Sequence, residues 1–173
     1  MRLFVEEGFQ QTSTAKVSKD AGVATGTLFT YFSSKDDLVL TLYIESVAEL
    51  IVYIKEKYDE SDDPAKKLKA VWKQTVKWAL DNPIQYRYIN LFEASAFGLS
   101  FFQESNNSLH VIISSIYKQT SNYKLTTPTA LFVKTFMATA KALIEYLTED
   151  HEGKYDKSLS KKQLEVALSG III

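Results

Sequence analysis

The residues whose types and spacing could do chemistry lie near the start of this chain, and the chemistry they offer is recognition rather than bond making. Thr12 and Ser13 stand together, Thr25, Gly26 and Thr27 follow, then Phe29, Thr30 and Tyr31, with Lys35 beyond two serines. Small hydroxyls and a glycine can approach a polar surface closely, a tyrosine hydroxyl suits a phosphate oxygen, and lysine adds a point charge. No nucleophile, base and orienting group occur together. There is no cysteine, and the two histidines, His110 and His151, are far apart, so disulfides and thiolate metal sites are excluded and no metal-ligand spacing appears. A glycine-rich phosphate loop is also missing. The chain therefore reads as a non-enzyme with no cofactor and no metal.

The elements that must hold those residues follow from local signals. Over residues 12–32, Val17 and Ala21 are spaced to form the inner face of one short helix, and Gly22 supplies the positive φ that ends it. Val23 is placed to plug the turn, Ser18 is small enough to let helices approach, and Leu28 with Phe32 forms the inner face of a second helix. This is the pattern of a helix-turn-helix, although spacing alone equally fits a helical hairpin that touches no nucleic acid. The outward side of the second helix, with Thr25, Gly26 and Thr27 at its start, favours the nucleic-acid reading.

The rest of the chain also reads as helical. Its 173 residues include only six glycines and three prolines, and 46% are hydrophobic and 24% charged. Apolar positions recur every three or four residues, giving an all-α expectation. Helices are expected near 1–8, 13–21, 25–32, 35–58, 64–81, 83–95, 105–121, 128–149 and 160–172, with the stretch around Gly98 undecided. Asp63-Pro64, Asn82-Pro83 and Thr127-Pro128 place a proline at the first helical position, and Ser34 to Asp37 and Ser160 to Gln163 have the capping-box form. In the long fourth helix Leu40, Tyr43, Ile44, Val47, Leu50, Ile51, Ile54 and Tyr58 form one stripe, with Leu38 and Leu42 pointing elsewhere. Such a helix can serve two cores and link them. A net charge of −1 argues against a nonspecific polyanion coat, though a specific reader needs only a local face. No apolar run has the length of a membrane span and no signal segment is present, so the expected location is cytoplasmic.

The run LFVEEGFQQTSTAKVSKDAGVATGTLFTYFSSKDDL, residues 3–38, resembles the tetracycline-repressor (TetR) family. It matches a Leu-Phe helix end, Gly-Phe, Thr-Ser, an Ala-Gly-Val turn, Gly-Thr-Leu-aromatic, Tyr-Phe and Ser-Lys-acid-x-Leu. The resemblance implies a DNA-binding domain over 1–45 and an effector-binding and dimerisation domain over 46–173. It further implies that Thr25, Gly26, Thr27, Phe29 and Thr30 lie near bases, Tyr31 and Lys35 on phosphates, and Thr12 and Ser13 against the DNA backbone. Two departures stand out. Ala24 replaces the usual serine cap of the recognition helix, so that Thr25 would have to cap, and the first helix lacks the family's basic leader, which suggests a truncated start.

The later helices are expected to supply a pocket and a dimer interface. Aromatic residues are abundant there, and Trp72, Tyr86, Phe92, Phe132 and Phe136 sit mid-helix where they could line a largely apolar effector pocket; Phe102 belongs to the same aromatic pool. The helix over 128–149 carries Phe132, Phe136, Leu143 and Leu147 on one line and Val133, Met137, Ala140 and Ile144 on another. With Leu164, Ala167, Leu168 and Ile171 of the last helix this suggests one face for the core and one for a symmetric partner, with Val133, Met137, Ala140, Ile144, Leu164 and Leu168 at the dimer interface. The implied function is a dimeric regulator, a repressor in the first instance, that binds a palindromic double-stranded DNA operator and is released by a small-molecule effector. The alternative is a protein-interaction module of the same fold without specific DNA binding, supported by Ala24 and by the excess of acids over bases up to Asp37.

Overall fold

The computed structural model describes residues 1–104, 108–120, 127–149 and 157–169. Among these the chain forms ten helices and no strand: α1 (Arg2–Gln11), α2 (Thr14–Asp20), α3 (Thr25–Tyr31), α4 (Lys35–Lys55), α5 (Pro64–Asp81), α6 (Pro83–Glu93), α7 (Ala96–Glu104), α8 (Ser108–Gln119), α9 (Thr129–Glu149) and α10 (Lys157–Leu168). The all-α expectation holds. His151 and Ile171, and the side chain of Phe102, lie outside the described residues. No helix among the described residues is long and apolar enough to cross a membrane.

Two compact units are present. The first comprises Met1–Glu49 and Asn82–Ser105, and the second Leu50–Asp81 and Asn106–Ile173. Helices α6 and α7 thus group with the N-terminal helices, whereas the sequence suggested a single division near residue 45. Helix α4 contributes residues to both. Tyr43, Val47, Leu50 and Ile54 form its buried stripe as spaced, and Leu38, read as lying off that stripe, is buried with Val39, while Ile44, read as part of the stripe, is half exposed.

In the first unit an aromatic cluster ties α1 to α6 and α7. Gly8 interrupts α1 at φ 81°, ψ 164°, a conformation open essentially to glycine, and this bend turns Phe9 into the core. The Phe9 ring lies 5.6 Å from those of Phe4 and Tyr88 and 5.4 Å from that of Phe97. Phe92 stacks on Tyr43 at 4.1 Å. The Tyr88 hydroxyl donates to the Val39 carbonyl at 2.9 Å, pinning α6 to α4. The segment around Gly98 is helix α7, which crosses so close to α6 that a Cβ on Gly98 would stand 2.3 Å from the Phe92 carbonyl oxygen.

The second unit is built from α5, α8, α9 and α10 with the end of α4. Tyr117 and Phe132 stack at 4.0 Å, Phe136 packs 5.5 Å from Phe132, and the Trp72 indole N–H donates to Thr139 Oγ1 at 3.1 Å. Both lines of apolar residues on α9 are interior: Phe132, Phe136, Leu143 and Leu147, and equally Val133, Ala140 and Ile144, are buried, as are Leu164 and Leu168 on α10. This corrects the sequence reading of Val133, Ala140, Ile144, Leu164 and Leu168 as partner-facing. Met137 is partly covered. The breadth of the stripe reflects three neighbours, α5, α8 and α10, around one helix.

Two of the expected side-chain caps form, while Asn82 precedes Pro83 at the start of α6 without a side-chain cap bond. Asp63 Oδ1 accepts the Ala65 N–H at 2.9 Å, and Ser34 Oγ accepts the Asp37 N–H at 3.1 Å. Ser160, read as a capping residue, lies inside α10 and is buried, since that helix begins three residues earlier. Pro128 precedes the first residue of α9 rather than filling it.

Candidate nucleic-acid interface

Helix α2 begins at a working cap: Ser13 is extended (φ −85°, ψ 151°) and its Oγ accepts the Lys16 N–H at 3.2 Å. Thr12, next to it, is buried, with its hydroxyl 2.8 Å from the Gly8 carbonyl and 3.2 Å from that of Leu3. It closes the end of α1 and is not available to a phosphate, which corrects its assignment to the DNA-facing set. Ser18 is buried and its hydroxyl donates to the Thr14 carbonyl at 2.9 Å, so a small side chain occupies the inner face without an unmet hydrogen bond.

The turn is set by Gly22 at φ 70°. Its N–H reaches the Lys19 carbonyl at 3.2 Å and the following Val23 N–H reaches Ser18 at 2.9 Å, the paired bonds that end a helix with a left-handed residue. Val23 itself is 41% exposed and Ala21 is exposed, so neither fills the interior as their spacing suggested. The turn is held by backbone bonds instead.

Helix α3 starts at Ala24, which has extended geometry (φ −69°, ψ 146°) and offers no side-chain cap. Thr25 lies within the helix and does not replace the missing cap, contrary to expectation. Only Leu28 is buried; Thr25, Gly26, Thr27, Phe29, Thr30 and Tyr31 are all exposed, Phe29 at 45% and Tyr31 at 78%. The Thr30 hydroxyl donates to the Gly26 carbonyl at 3.2 Å. Gly26 is informative because a Cβ there would meet no atom within 4 Å. A glycine inside a helix costs about 0.5–1 kcal/mol relative to alanine, and nothing within the chain requires it.

The exit of α3 is locked. The Asp37 carboxylate accepts from the Ser33 N–H at 2.8 Å and the Ser33 hydroxyl at 2.9 Å, and these bonds lower its pKa from the ordinary carboxylate value. Lys35 stands at the first position of α4. Sequence inspection missed this lock by one residue, since the capping-box pattern pointed to Ser34 alone. It also missed two ion pairs joining α1 and α2: Arg2 Nη2 stands 2.9 Å from Asp20 Oδ1, and Lys16 Nζ pairs with Glu7.

The residues expected at an effector pocket do not fall in one unit. Trp72, Phe132 and Phe136 belong to the second, while Tyr86 and Phe92 belong to the first, where Phe92 is part of the aromatic cluster on α1, α4 and α7. Among the described residues no group of three or more histidines, aspartates and glutamates could hold a metal ion.

Residues 1–42 match the model of a family described as bacterial regulatory proteins, tetR family. Over 71 residues the chain is 32% identical to the fatty acid metabolism regulator protein of Bacillus subtilis (strain 168); the match covers 41% of this chain and 37% of that protein. The chain therefore aligns with well under half of that relative. Its fold is similar to that of a Shewanella sp. PV-4 protein classed as a tetR family transcription regulator, with a TM-score of 0.85 at 24% identity, covering 99% of this chain and 93% of the other. A TetR family transcription regulator from Marinobacter aquaeolei VT8 gives 0.83 at 22% identity, covering 98% and 90%. At these identities the structural likeness is one of fold.

Proposed function

Given that this chain belongs to the tetR family of bacterial regulatory proteins, we propose that it binds a palindromic duplex operator as a homodimer, represses transcription there, and is released by a small, largely apolar effector. The observation that carries the reading is the outward face of α3, an exposed helix with a glycine that no internal contact explains and two large exposed aromatics. In a major groove Thr25, Gly26, Thr27, Phe29 and Thr30 would face base edges, with Ser13, Tyr31 and Lys35 at phosphates. One such helix reads only a few base pairs, so useful specificity requires two copies about 34 Å apart.

The twofold contact proposed here uses the outer faces of α9 and α10. On α9 the exposed residues Leu131, Ala138 and Ala142 recur at helical spacing, and on α10 Val166 is 56% exposed. They replace the buried set named from sequence. Effector binding is proposed for residues 46–173, with Trp72, Phe132 and Phe136 as the wall. The Bacillus subtilis relative's name, a regulator of fatty acid metabolism, agrees with an apolar ligand. Ligand and operator would be coupled reciprocally, each weakening the other by about 1–3 kcal/mol.

Selection from a random duplex pool tests the proposal. Enrichment of an inverted repeat bound by two chains is the expected outcome; a pool that remains random sinks the regulator reading and leaves the protein-interaction alternative.

A further inference from the structure

The first 42 residues contain four cations, Arg2, Lys16, Lys19 and Lys35. Two are already neutralised within the first unit, Arg2 by Asp20 and Lys16 by Glu7. Lys19, exposed in the last turn of α2, and Lys35, at the first residue of α4, have no ion-pair partner among the described residues. We infer that Arg2 and Lys16 are positioning residues that fix α1 against α2, and that Lys19 and Lys35 are the cations of this segment that neutralise DNA phosphates. The inference rests on the proposed function and adds Lys19 to the interface.

Net charge separates the two pairs of cations. A cation beside a carboxylate presents little field to a phosphate, and moving it onto the DNA would strand the carboxylate next to a polyanion. Both ion pairs are also well placed for a mechanical role, because each joins a residue of α1 to a residue of α2, and Lys16 and Asp20 are one helical turn apart on the same face. Lys19 lies off that face, beside the Gly22 turn that leads into α3.

Salt dependence distinguishes positioning from phosphate contact. Each phosphate neutralised contributes about −0.9 to the slope of log affinity against log salt, so losing one lysine from both subunits should shallow the slope by about two. The test is a salt titration of operator affinity, on the duplex enriched by selection, for the parent chain, Lys19→Gln, Lys35→Gln and the charge-conserving double variant Arg2→Gln/Asp20→Asn. Exposed pairs are worth about 0–1 kcal/mol, so the double variant is expected to keep its fold, as thermal melting would verify. The predicted result is a shallower slope for each lysine variant and an unchanged slope for the double variant, with any affinity loss in it equal at all salt concentrations. A double variant whose slope falls by about two, or a Lys19→Gln slope equal to the parent's, overturns the assignment while leaving the regulator reading intact. A parent chain that binds no duplex overturns the regulator reading instead.

Discussion

At the scale of single residues, stability and recognition separate at α3. Gly26 has open space around it and a helical position, so Gly26→Ala should stabilise the fold by about 0.5–1 kcal/mol while weakening operator binding, because the added methyl stands where DNA must approach. Melting and mobility-shift titrations on the same sample read the two effects, and a variant that binds as well as the parent contradicts the account. Thr12 should behave in the opposite way. Its buried hydroxyl serves two carbonyls, so Thr12→Val should lose about 1–2 kcal/mol of stability and affect DNA only through the fold. The sequence pattern distinguished neither role, because a Thr-Ser pair before a helix looks the same whether the first hydroxyl turns inward or outward. Gly22 was legible, since a positive-φ helix end is a local requirement that glycine meets best. Val23 was misread because hydrophobicity alone does not say that backbone bonds have already closed the turn.

Among elements, the starts at Pro64, at Pro83 and after Ser34 were readable, and those set by packing were not. Helix α5 spans Pro64–Asp81 as its Asp-Pro start implies, whereas α10 begins before Ser160, which is buried by tertiary contacts that override its capping tendency. Helix α7 was obscured by Gly98. That glycine is needed for the crossing with α6 and does not interrupt α7, and Ser95, whose Oγ accepts the Gly98 N–H at 3.3 Å, was the available start signal. Gly98→Ala should therefore cost at least about 1–3 kcal/mol, since its Cβ would meet backbone atoms of Phe92 and Glu93. Chemical denaturation checks this, and a neutral result would contradict the close crossing of α6 and α7. The opposite expectation attaches to the uncapped start of α3: Ala24→Ser should gain about 0.5–2 kcal/mol, measured in the same way.

For the whole molecule, the all-α class and the outward side of α3 were visible in the sequence, but the burial of both apolar lines on α9 was not. An apolar stripe on α9 too wide for one neighbour looked like a stripe for a partner, and the bundle surrounds it instead. The prediction now attaches to the exposed side: Ala142→Arg should shift sedimentation from dimer to monomer with little change in subunit helicity. The buried tyrosines add a pH dependence. Burial raises the Tyr88 phenol well above its usual 10.0, and burial with the Glu93 charge does the same for Tyr43. A folded-state pKa above the unfolded one means the contribution is fully present below pH 10 and declines as pH rises beyond it, because only the unfolded chain releases those protons. Tyr88→Phe should cost about 1 kcal/mol at neutral pH through the lost bond to Val39 and should show a gentler alkaline decline in denaturation midpoint than the parent.

The most direct test of the central claim compares the parent chain with a Thr25→Ala/Thr27→Ala/Tyr31→Phe variant on the selected duplex, after circular dichroism and melting have shown both folded. All three side chains are exposed, so the fold should be unaffected. The predicted result is loss of sequence-specific binding by roughly 100-fold or more, at about 1–3 kcal/mol for each base-reading contact; equal affinity of the two proteins for the duplex would contradict it.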